Sequence, residues 1–414
     1  VSGGWLEMGM QSFFQCCGLN WLEGLKHHHE HLRCLCPNHC GQLAPPTPTP
    51  ASISCQSLEE SLAALPRSVE PWNPEAYSFT QALQASLRNY GHVDMMQRRR
   101  DRRDVAVKRM PNRWLTSDPA EFSERHFGAF EQPWLDLAIL RELNRLSFPY
   151  ACELLGIFRD EDSTFVVTSL ATHGDLFGWC FRDPAPGPDR EALAAPTASQ
   201  VFFAVRWLHE LGVAHRDISL ENILLTEGSG ERVEVKLIDF AMSTLARTCF
   251  REIRGKPSYQ APEMHTDAEY DPFMADAFSL GVVLFALAAQ GYPWEATKPM
   301  SCARYRYVEK FGLHKFLETK KLPQCDGKYL TDVLSAELTE LLTGLLEFDP
   351  TRRLHLGESC FGGRDKRSVW KTHWLQAPEE LSDLGSTEAD SHVESQPSIG
   401  SCTPPQAESL VTLC

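Results

Sequence analysis

Residues that could do chemistry stand in three short stretches of this 414-residue chain. The stretch "VAHRDISLENILL" contains Asp217 and Asn222, and "IDFA" contains Asp239. Lys108 ends the stretch "VAVK". Carboxylate and amide oxygens are ligands that magnesium accepts, and a lysine ammonium binds phosphate as a point charge.

In their order and spacing, these stretches resemble the motifs of the eukaryotic protein kinases over residues 77–375. The resemblance implies that Asp217 orients and deprotonates the substrate hydroxyl. It also implies that Asn222 and Asp239 hold Mg2+ and that Lys108 pairs with the α- and β-phosphates of ATP.

Further motifs of the same family would position this chemistry. The aspartate of "DAFSLG", here Asp276, usually anchors the catalytic loop from below. The glutamate of "APE", here Glu263, usually pairs with the arginine of "DPTRR", here Arg353. We therefore expect a structural ion pair between Glu263 and Arg353.

The strand lysine also needs a carboxylate partner on the next helix. "DLAILREL" fits the family's pattern if Asp136 takes the place of the usual glutamate. Because aspartate is one methylene shorter, it loses about 1.5 Å of reach. Glu142 and Glu131 are alternative partners.

The nucleotide cleft departs from the family pattern in its glycine-rich loop. Gly91 and Val93 keep their positions, but Ser86 and Arg88 replace glycines that would let backbone N–H groups approach the phosphates. Thr168 would be a small gatekeeper. The nucleotide contacts implied by the resemblance are Gly91, Val93, Ala106, Lys108, Asp136, Thr168, Ser169, Ala171, Asp175 and Leu224.

The catalytic loop lacks a charge that the resemblance leads one to expect. Serine/threonine kinases usually carry lysine two residues after the catalytic aspartate, where this chain has Ser219. They usually carry threonine at the position of Lys256. We expect an exchange of places, in which Lys256 supplies the cation at the transferred phosphate and Ser219 a supporting hydrogen bond. The alternative is a lost lysine and a solvated loop lysine.

A second charge falls where many kinases carry an activating phosphothreonine. Glu252 lies three residues before Gly255 in the activation segment. Arg216, which would normally bind that phosphate, could pair permanently with Glu252 and order the segment without phosphorylation. An exposed Glu252 is the alternative.

The elements that must position these residues are predicted from hydrophobic patterns. "VAVKRM" and "STFVVTSLA" are rich in β-branched residues and indicate strands. "SQVFFAVRWLHELG" predicts a helix that ends at glycine, and "AFSLGVVLFALAA" is too short to span a bilayer and is typical of a buried helix. With the resemblance, we predict an α+β, two-lobed kinase fold: a small β-rich lobe with one main helix (77–170), then a larger, mainly helical lobe (171–375).

The two ends of the chain are predicted to lie outside this domain. Residues 1–76 would form a separate, poorly structured leader. In it, "HHHEHLRCLCPNHC" is either a zinc module or an unstructured segment. Residues 376–414 contain seven acids and no Lys or Arg, which indicates a disordered, solvated tail.

Composition restricts partners and compartment. A net charge of −15 disfavours nucleic acid and anionic membranes as main partners, and we expect no transmembrane segment. Six of the 14 cysteines precede residue 56, and the scattered others suggest reduced thiols in the cytoplasm or nucleus.

The predicted activity is transfer of the γ-phosphoryl group of ATP, with Mg2+, to serine or threonine of protein substrates. The acids Asp175 and Glu221 suggest acceptors with basic neighbours. The alternative is a pseudokinase that binds nucleotide or partners without catalysis.

Overall fold

The structure is a computed structural model that describes residues 52–85, 91–228, 233–362 and 367–375. The stretch "HHHEHLRCLCPNHC", for which a zinc module was one of two alternatives, lies outside the described residues, as do the rest of the leader up to residue 51 and the acidic tail from residue 376. The loop positions Ser86 and Arg88 also lie outside them.

Among the described residues, the first lobe contains a six-stranded sheet and three α-helices. Its strands are β1 (Glu70–Pro71), β2 (Tyr77–Ala85), β3 (His92–Arg98), β4 (Arg103–Pro111), β5 (Leu154–Arg159) and β6 (Ser163–Ser169). Its helices are α1 (Cys55–Ala64), α2 (Pro119–Arg125) and α3 (Pro133–Arg145). The strands lie in the order β1-β5-β6-β4-β3-β2, and all neighbours are antiparallel except β1 and β5. Both predicted strands are confirmed: "VAVKRM" lies within β4, and β6 covers all but the last two residues of "STFVVTSLA".

The second lobe is mainly helical. Its helices are α4 (Leu176–Cys180), α5 (Pro188–Glu210), α6 (Pro272–Ala289), α7 (Ala303–Phe311), α8 (Leu313–Thr319), α9 (Leu330–Val333) and α10 (Ala336–Leu345). Short two-stranded pairs join β7 (Ile223–Glu227) to β8 (Val233–Leu237), β9 (Cys249–Phe250) to β10 (Glu269–Tyr270), and β11 (Lys321–Leu322) to β12 (Lys328–Tyr329). This arrangement confirms the predicted two-lobed α+β fold.

Helix α6 forms the centre of the second lobe. Asp271 caps its first turn by accepting a hydrogen bond from the Phe273 N–H at 2.9 Å. By length and composition the helix could cross a membrane, but all of its residues are buried in the lobe. The prediction of a buried core helix is therefore confirmed.

The predicted ion pair beneath the activation segment is present. The Arg353 guanidinium makes two hydrogen bonds to Glu263, at 2.6 and 2.8 Å. Arg353 is fully buried and also donates to the Met274 carbonyl at 2.8 Å. This paired geometry ties the end of the activation segment to α6 and the loop after α10.

The predicted boundary at residue 76 differs from the structure. Residues from Ile53 onward are folded: Ile53 contacts the end of α5, helix α1 lies against α3, and strand β1 extends the sheet at β5. The leucines Leu58 and Leu65 are buried, which explains why this segment folds rather than staying solvated. The folded part therefore begins at least 23 residues before the predicted boundary at 76.

A buried histidine beneath the catalytic loop predicts a pH-dependent stability. His209 contacts two carboxylates, Asp276 at 3.0 Å through Nε2 and Glu358 at 2.7 Å through Nδ1. Burial alone would lower the pKa of His209, but the hydrogen bonds to the two carboxylates raise it to about 9. With a folded-state pKa above the unfolded one, this stabilisation is fully present below about pH 6.5 and is lost as the pH rises through 9.

We therefore expect the Tm, followed by circular dichroism, to fall by several degrees between pH 7 and 9.5. His209→Gln should have a lower Tm at pH 7 and lose most of that slope. His314→Gln, at an exposed position, should keep the parent's decrease in Tm between pH 7 and 9.5. An equal slope in all three proteins would contradict this assignment.

Candidate active site

The strand lysine meets the predicted carboxylate. Lys108 Nζ lies 3.1 Å from Asp136 Oδ2, so the first lobe's helix α3 supplies the partner. Glu142, an alternative partner, instead contacts Ser61 and Arg145. Burial lowers the pKa of Lys108, but the carboxylates of Asp136 and Asp239 outweigh it and raise the pKa overall.

The same aspartate connects α3 to the "IDFA" stretch. Asp136 Oδ1 accepts a hydrogen bond from the Phe240 N–H at 2.9 Å. One turn before it, the Gln132 N–H donates to the Ala241 carbonyl at 2.8 Å. Asp239 lies beside this contact with φ of +67°, a left-handed conformation that aspartate tolerates better than most residues. Helix α3 thus positions both Lys108 and the segment that contains Asp239.

The catalytic loop is held from below by Asp276 on α6. Its carboxylate accepts backbone N–H bonds from His215 at 2.7 Å and Arg216 at 2.8 Å. Arg216 has φ of +63°, a strained conformation of the kind that clusters at functional sites. The buried anchor therefore offsets the strain and orients Asp217, the next residue.

Asn222 lies directly against Asp217. Its Nδ2 donates to the Asp217 carbonyl at 2.8 Å and to Asp217 Oδ2 at 3.0 Å. The Ile238 N–H donates to the Asn222 carbonyl at 3.1 Å, which brings Asp239 next to this loop. Asp217, Asn222 and Asp239 therefore come from two adjacent, hydrogen-bonded segments.

This donor set fits a magnesium ion. The bonds from Nδ2 of Asn222 leave its amide oxygen as the acceptor that a cation needs, and Asp239 adds a carboxylate. Within the described residues no cluster of three His, Cys, Asp or Glu side chains could hold a metal by itself. Magnesium is commonly held by one or two protein oxygens together with substrate phosphates, so this sparse set is suitable.

The exchanged lysine and serine are in contact. Lys256 Nζ donates to Ser219 Oγ at 2.8 Å and lies 2.9 Å from Glu221 Oε2. The preceding Gly255 has φ of +81°, and a Cβ there would come within 2.8 Å of the Arg216 carbonyl and 3.4 Å of Asp217 Oδ1. Only glycine allows this close approach, which places the Lys256 backbone beside the catalytic loop. The proposed catalytic role of Lys256 stays a prediction.

Glu252 is paired rather than free in solvent. Arg216 Nη1 lies 2.8 Å from Glu252 Oε2, and Arg254 Nη2 lies 3.2 Å from the same oxygen. Arg216 also donates to the Met242 carbonyl at 2.7 Å through Nε. The arginine therefore links the catalytic loop, the segment after "IDFA" and the activation segment.

The predicted nucleotide positions line up across the sheet. Val93 is the register partner of Lys108, and Ala106 is the partner of Thr168. The Ser169 N–H donates to the Glu153 carbonyl at 2.9 Å. The Ser169 carbonyl is therefore the backbone group of this residue that could contact adenine. Gly91 and Ala171 lie just outside these strands, before β3 and after β6. Their contacts with nucleotide stay predictions.

Asp175 has a structural task in addition to its predicted one. Its Oδ1 accepts the Gly178 N–H at 2.7 Å and caps α4, and its backbone bridges to Leu224. Burial raises the pKa of this carboxyl, while the Gly178 N–H lowers it. Glu221, the other acid expected to attract basic substrates, forms an ion pair with Lys256.

Sequence reasoning missed two side-chain contacts that the structure shows. The Glu221–Lys256 pair could have been inferred from opposite charges beside Ser219. Ser61 and Glu142 meet across 81 positions, and nothing in the local sequence pattern indicates that contact.

Comparison with known proteins agrees with this geometry. The family model described as the protein kinase domain matches residues 89–361. The chain is 33% identical over 218 residues to CBL-interacting protein kinase 29 of Oryza sativa subsp. japonica, which covers 50% of this chain and 45% of that protein. It is 26% identical over 273 residues to CBL-interacting serine/threonine-protein kinase 7 of Arabidopsis thaliana, with 64% and 56% covered.

A third similar protein is the hormonally up-regulated neu tumor-associated kinase homolog of Xenopus tropicalis. The identity is 31% over 216 residues, which is 51% of this chain and 28% of that protein. The chain thus spans about half the length, or less, of these curated relatives.

Proposed function

Because this chain belongs to the protein kinase family, we propose that it transfers the γ-phosphoryl group of Mg·ATP to serine and threonine hydroxyls of protein substrates. The observation that supports this most is the Lys108–Asp136 ion pair, which the "IDFA" stretch connects to the loop of the Asp217–Asn222 contact. These contacts support the proposed roles of Lys108 as a phosphate-binding cation and of Asp217 as the base.

In the proposed reaction, the substrate hydroxyl oxygen attacks the γ-phosphorus as the bond to the β–γ bridging oxygen breaks. Asp217 orients the hydroxyl and accepts its proton, and ADP leaves with the bridging oxygen. Lys108, held by Asp136, binds the α- and β-phosphates. Asn222 and Asp239 would hold magnesium, which neutralises phosphate charge when bound.

Lys256 supplies the remaining cation in this proposal. Its ammonium neutralises the charge that develops on the transferred group, while Ser219 and Glu221 fix the direction of the side chain.

For substrates, we propose acceptors with a basic residue nearby, recognised by Asp175. The overall charge of −15 favours basic partners in general.

We also propose a reducing compartment, the cytoplasm or nucleus. Support comes from thiols used as core residues, such as Cys180, whose pKa burial raises to about 12.

The test is transfer of radiolabelled γ-phosphate by the full chain to a peptide library, followed by phosphoamino acid analysis. We expect magnesium-dependent label on serine and threonine, with basic peptides preferred. Label on tyrosine would contradict the residue specificity. No label despite measurable Mg·ATP binding would support a pseudokinase instead.

The Arg216–Glu252 pair predicts activity without phosphorylation of the activation segment. Glu252→Gln removes the negative charge and leaves Arg216 underpaired, so we expect kcat to fall about tenfold. Glu318→Gln, at an exposed ion pair, is the matched control and should keep the parent kcat. Phosphatase treatment should not affect the parent. Loss of parent activity after phosphatase would contradict the permanent pairing.

A further inference from the structure

We propose that residues 53–72, which we call the strap, are a positioning element of the active site. The strap runs from the second lobe across α3 to the sheet edge of the first lobe. It holds α3 in the orientation in which Asp136 reaches Lys108. This inference rests on the proposed phosphoryl-transfer function.

The strap begins on the second lobe. The Ile53 N–H donates to the Leu211 carbonyl at 2.8 Å, at the end of helix α5. The Ile53 side chain is buried, and Ser54 caps α1 by accepting a hydrogen bond from the Ser57 N–H at 3.0 Å. Helix α1 is therefore attached to the second lobe before it reaches the first.

The middle of the strap packs along α3. Ser61 Oγ donates to Glu142 Oε1 at 2.5 Å, and Arg145 pairs with the other carboxylate oxygen at 2.9 Å. Glu142 is only 3% exposed, so the strap and Arg145 together satisfy a carboxylate that has little access to water. Leu58 of α1 and Leu65, directly after α1, are also buried in the hydrophobic core.

The strap ends on the sheet. Strand β1 pairs in parallel with β5, and the Trp72 N–H donates to the Arg159 carbonyl at 2.9 Å. The Trp72 ring stacks on Phe165 at 4.1 Å and on Tyr77 at 4.8 Å between ring centroids. These contacts fix the strap to β6, the strand that also borders the predicted nucleotide cleft through Thr168.

Helix α3 connects the strap contact at Glu142 to the active site at Asp136. Asp136 and Glu142 lie six residues apart on α3, which places their side chains about 120° apart around the helix axis. Because α3 turns as a unit, holding Glu142 on the strap fixes the direction of Asp136 toward Lys108 and Phe240. A displaced α3 would separate the ion pair that binds the phosphates.

The test is Ser61→Glu in the full chain, which sets a second carboxylate against Glu142. We expect kcat/KM to fall at least tenfold, since like charges at contact displace α3. Ala63→Glu adds the same charge on the exposed side of α1 and should keep the parent rate. Ser61→Glu combined with Glu142→Gln removes the repulsion and should restore most of the activity.

A double-mutant comparison separates positioning from general destabilisation. If the strap acts through Asp136, then Ser61→Glu should cause no further loss of activity in an Asp136→Asn background. Losses that multiply would overturn the proposal. So would an unchanged kcat/KM in Ser61→Glu.

Amide hydrogen exchange of residues 133–145 provides a readout that needs no activity. Exchange should be faster in Ser61→Glu than in the parent and unchanged in Ala63→Glu. If the parent transfers no phosphate yet shows this difference, the proposed function fails and the strap's hold on α3 stands. Equal amide exchange in the parent, Ser61→Glu and Ala63→Glu would overturn the proposed positioning role of the strap.

Discussion

Replacing Asp217 by Asn is expected to lower kcat for phosphoryl transfer by about 10² to 10⁴-fold. The amide can still occupy the space of the carboxylate beside Asn222, but it cannot accept the substrate proton. Because ATP is proposed to bind through Lys108 and the magnesium ligands, its KM should change little. Steady-state rates at varied ATP concentration would measure both values.

The matched control for this variant is Asp326→Asn. Asp326 is exposed and has φ of +55°, a conformation that asparagine adopts readily, so the substitution should leave both folding and rate unchanged. A kcat for Asp217→Asn within about threefold of the parent would remove Asp217 from the proposed role, given how much general-base catalysis contributes.

Replacing Lys256 by Thr is expected to lower kcat by about 10² to 10³-fold, the usual effect of removing one group that stabilises charge in the transition state. The substitution removes the ammonium and frees the Glu221 carboxylate, which adds repulsion near the transferred phosphate. Rapid-quench measurement of a single turnover would report the chemical step directly.

Two control variants accompany this prediction. Lys256→Arg keeps the charge and should retain more activity than Lys256→Thr. Lys315→Thr removes an exposed lysine of α8 and should match the parent. A solvated loop lysine, the alternative interpretation of Lys256, predicts instead that Lys256→Thr behaves like Lys315→Thr.

Much of the fold could be predicted because its strands and core helix have strong local patterns. The β-branched residues of β4 and β6 and the continuous apolar stretch of α6 each indicate one kind of element. Helix α5 was predicted only in its second half. Its first turns, from Pro188 to Pro196, contain two prolines and little apolar periodicity, and packing of the later residues decides their structure.

Helix α1 shows how a usable signal was overlooked. Its capping box at Ser54 and Ser57 and the repeated Leu58, Leu62 and Leu65 are typical of an amphipathic helix. The preceding stretch "QLAPPTPTPAS" (42–52), rich in proline and threonine, instead suggested a poorly structured leader. The burial of this helix depends on a surface of α3 that lies far along the chain.

The candidate site was predictable in its residues but not in all its contacts. The resemblance of the motifs around Asp217, Asn222 and Asp239 to those of protein kinases implied a magnesium and phosphate site before any geometry was known. The partner of Lys108 was left open among three acids. The length of the connection that contains α2 determines which residue of α3 lies opposite Lys108, and the sequence does not show it. The structure resolves that choice in favour of Asp136.

The most direct test of the displaced lysine is the rate of single-turnover phosphoryl transfer by the exchange variant Lys256→Thr/Ser219→Lys. The two side chains touch at 2.8 Å in the structure, so an ammonium at either position can reach the same region. An active parent, a strongly impaired Lys256→Thr and a substantial recovery in the exchange variant are the results we predict. An active parent with an exchange variant as slow as Lys256→Thr, or with no loss in Lys256→Thr, would contradict this account.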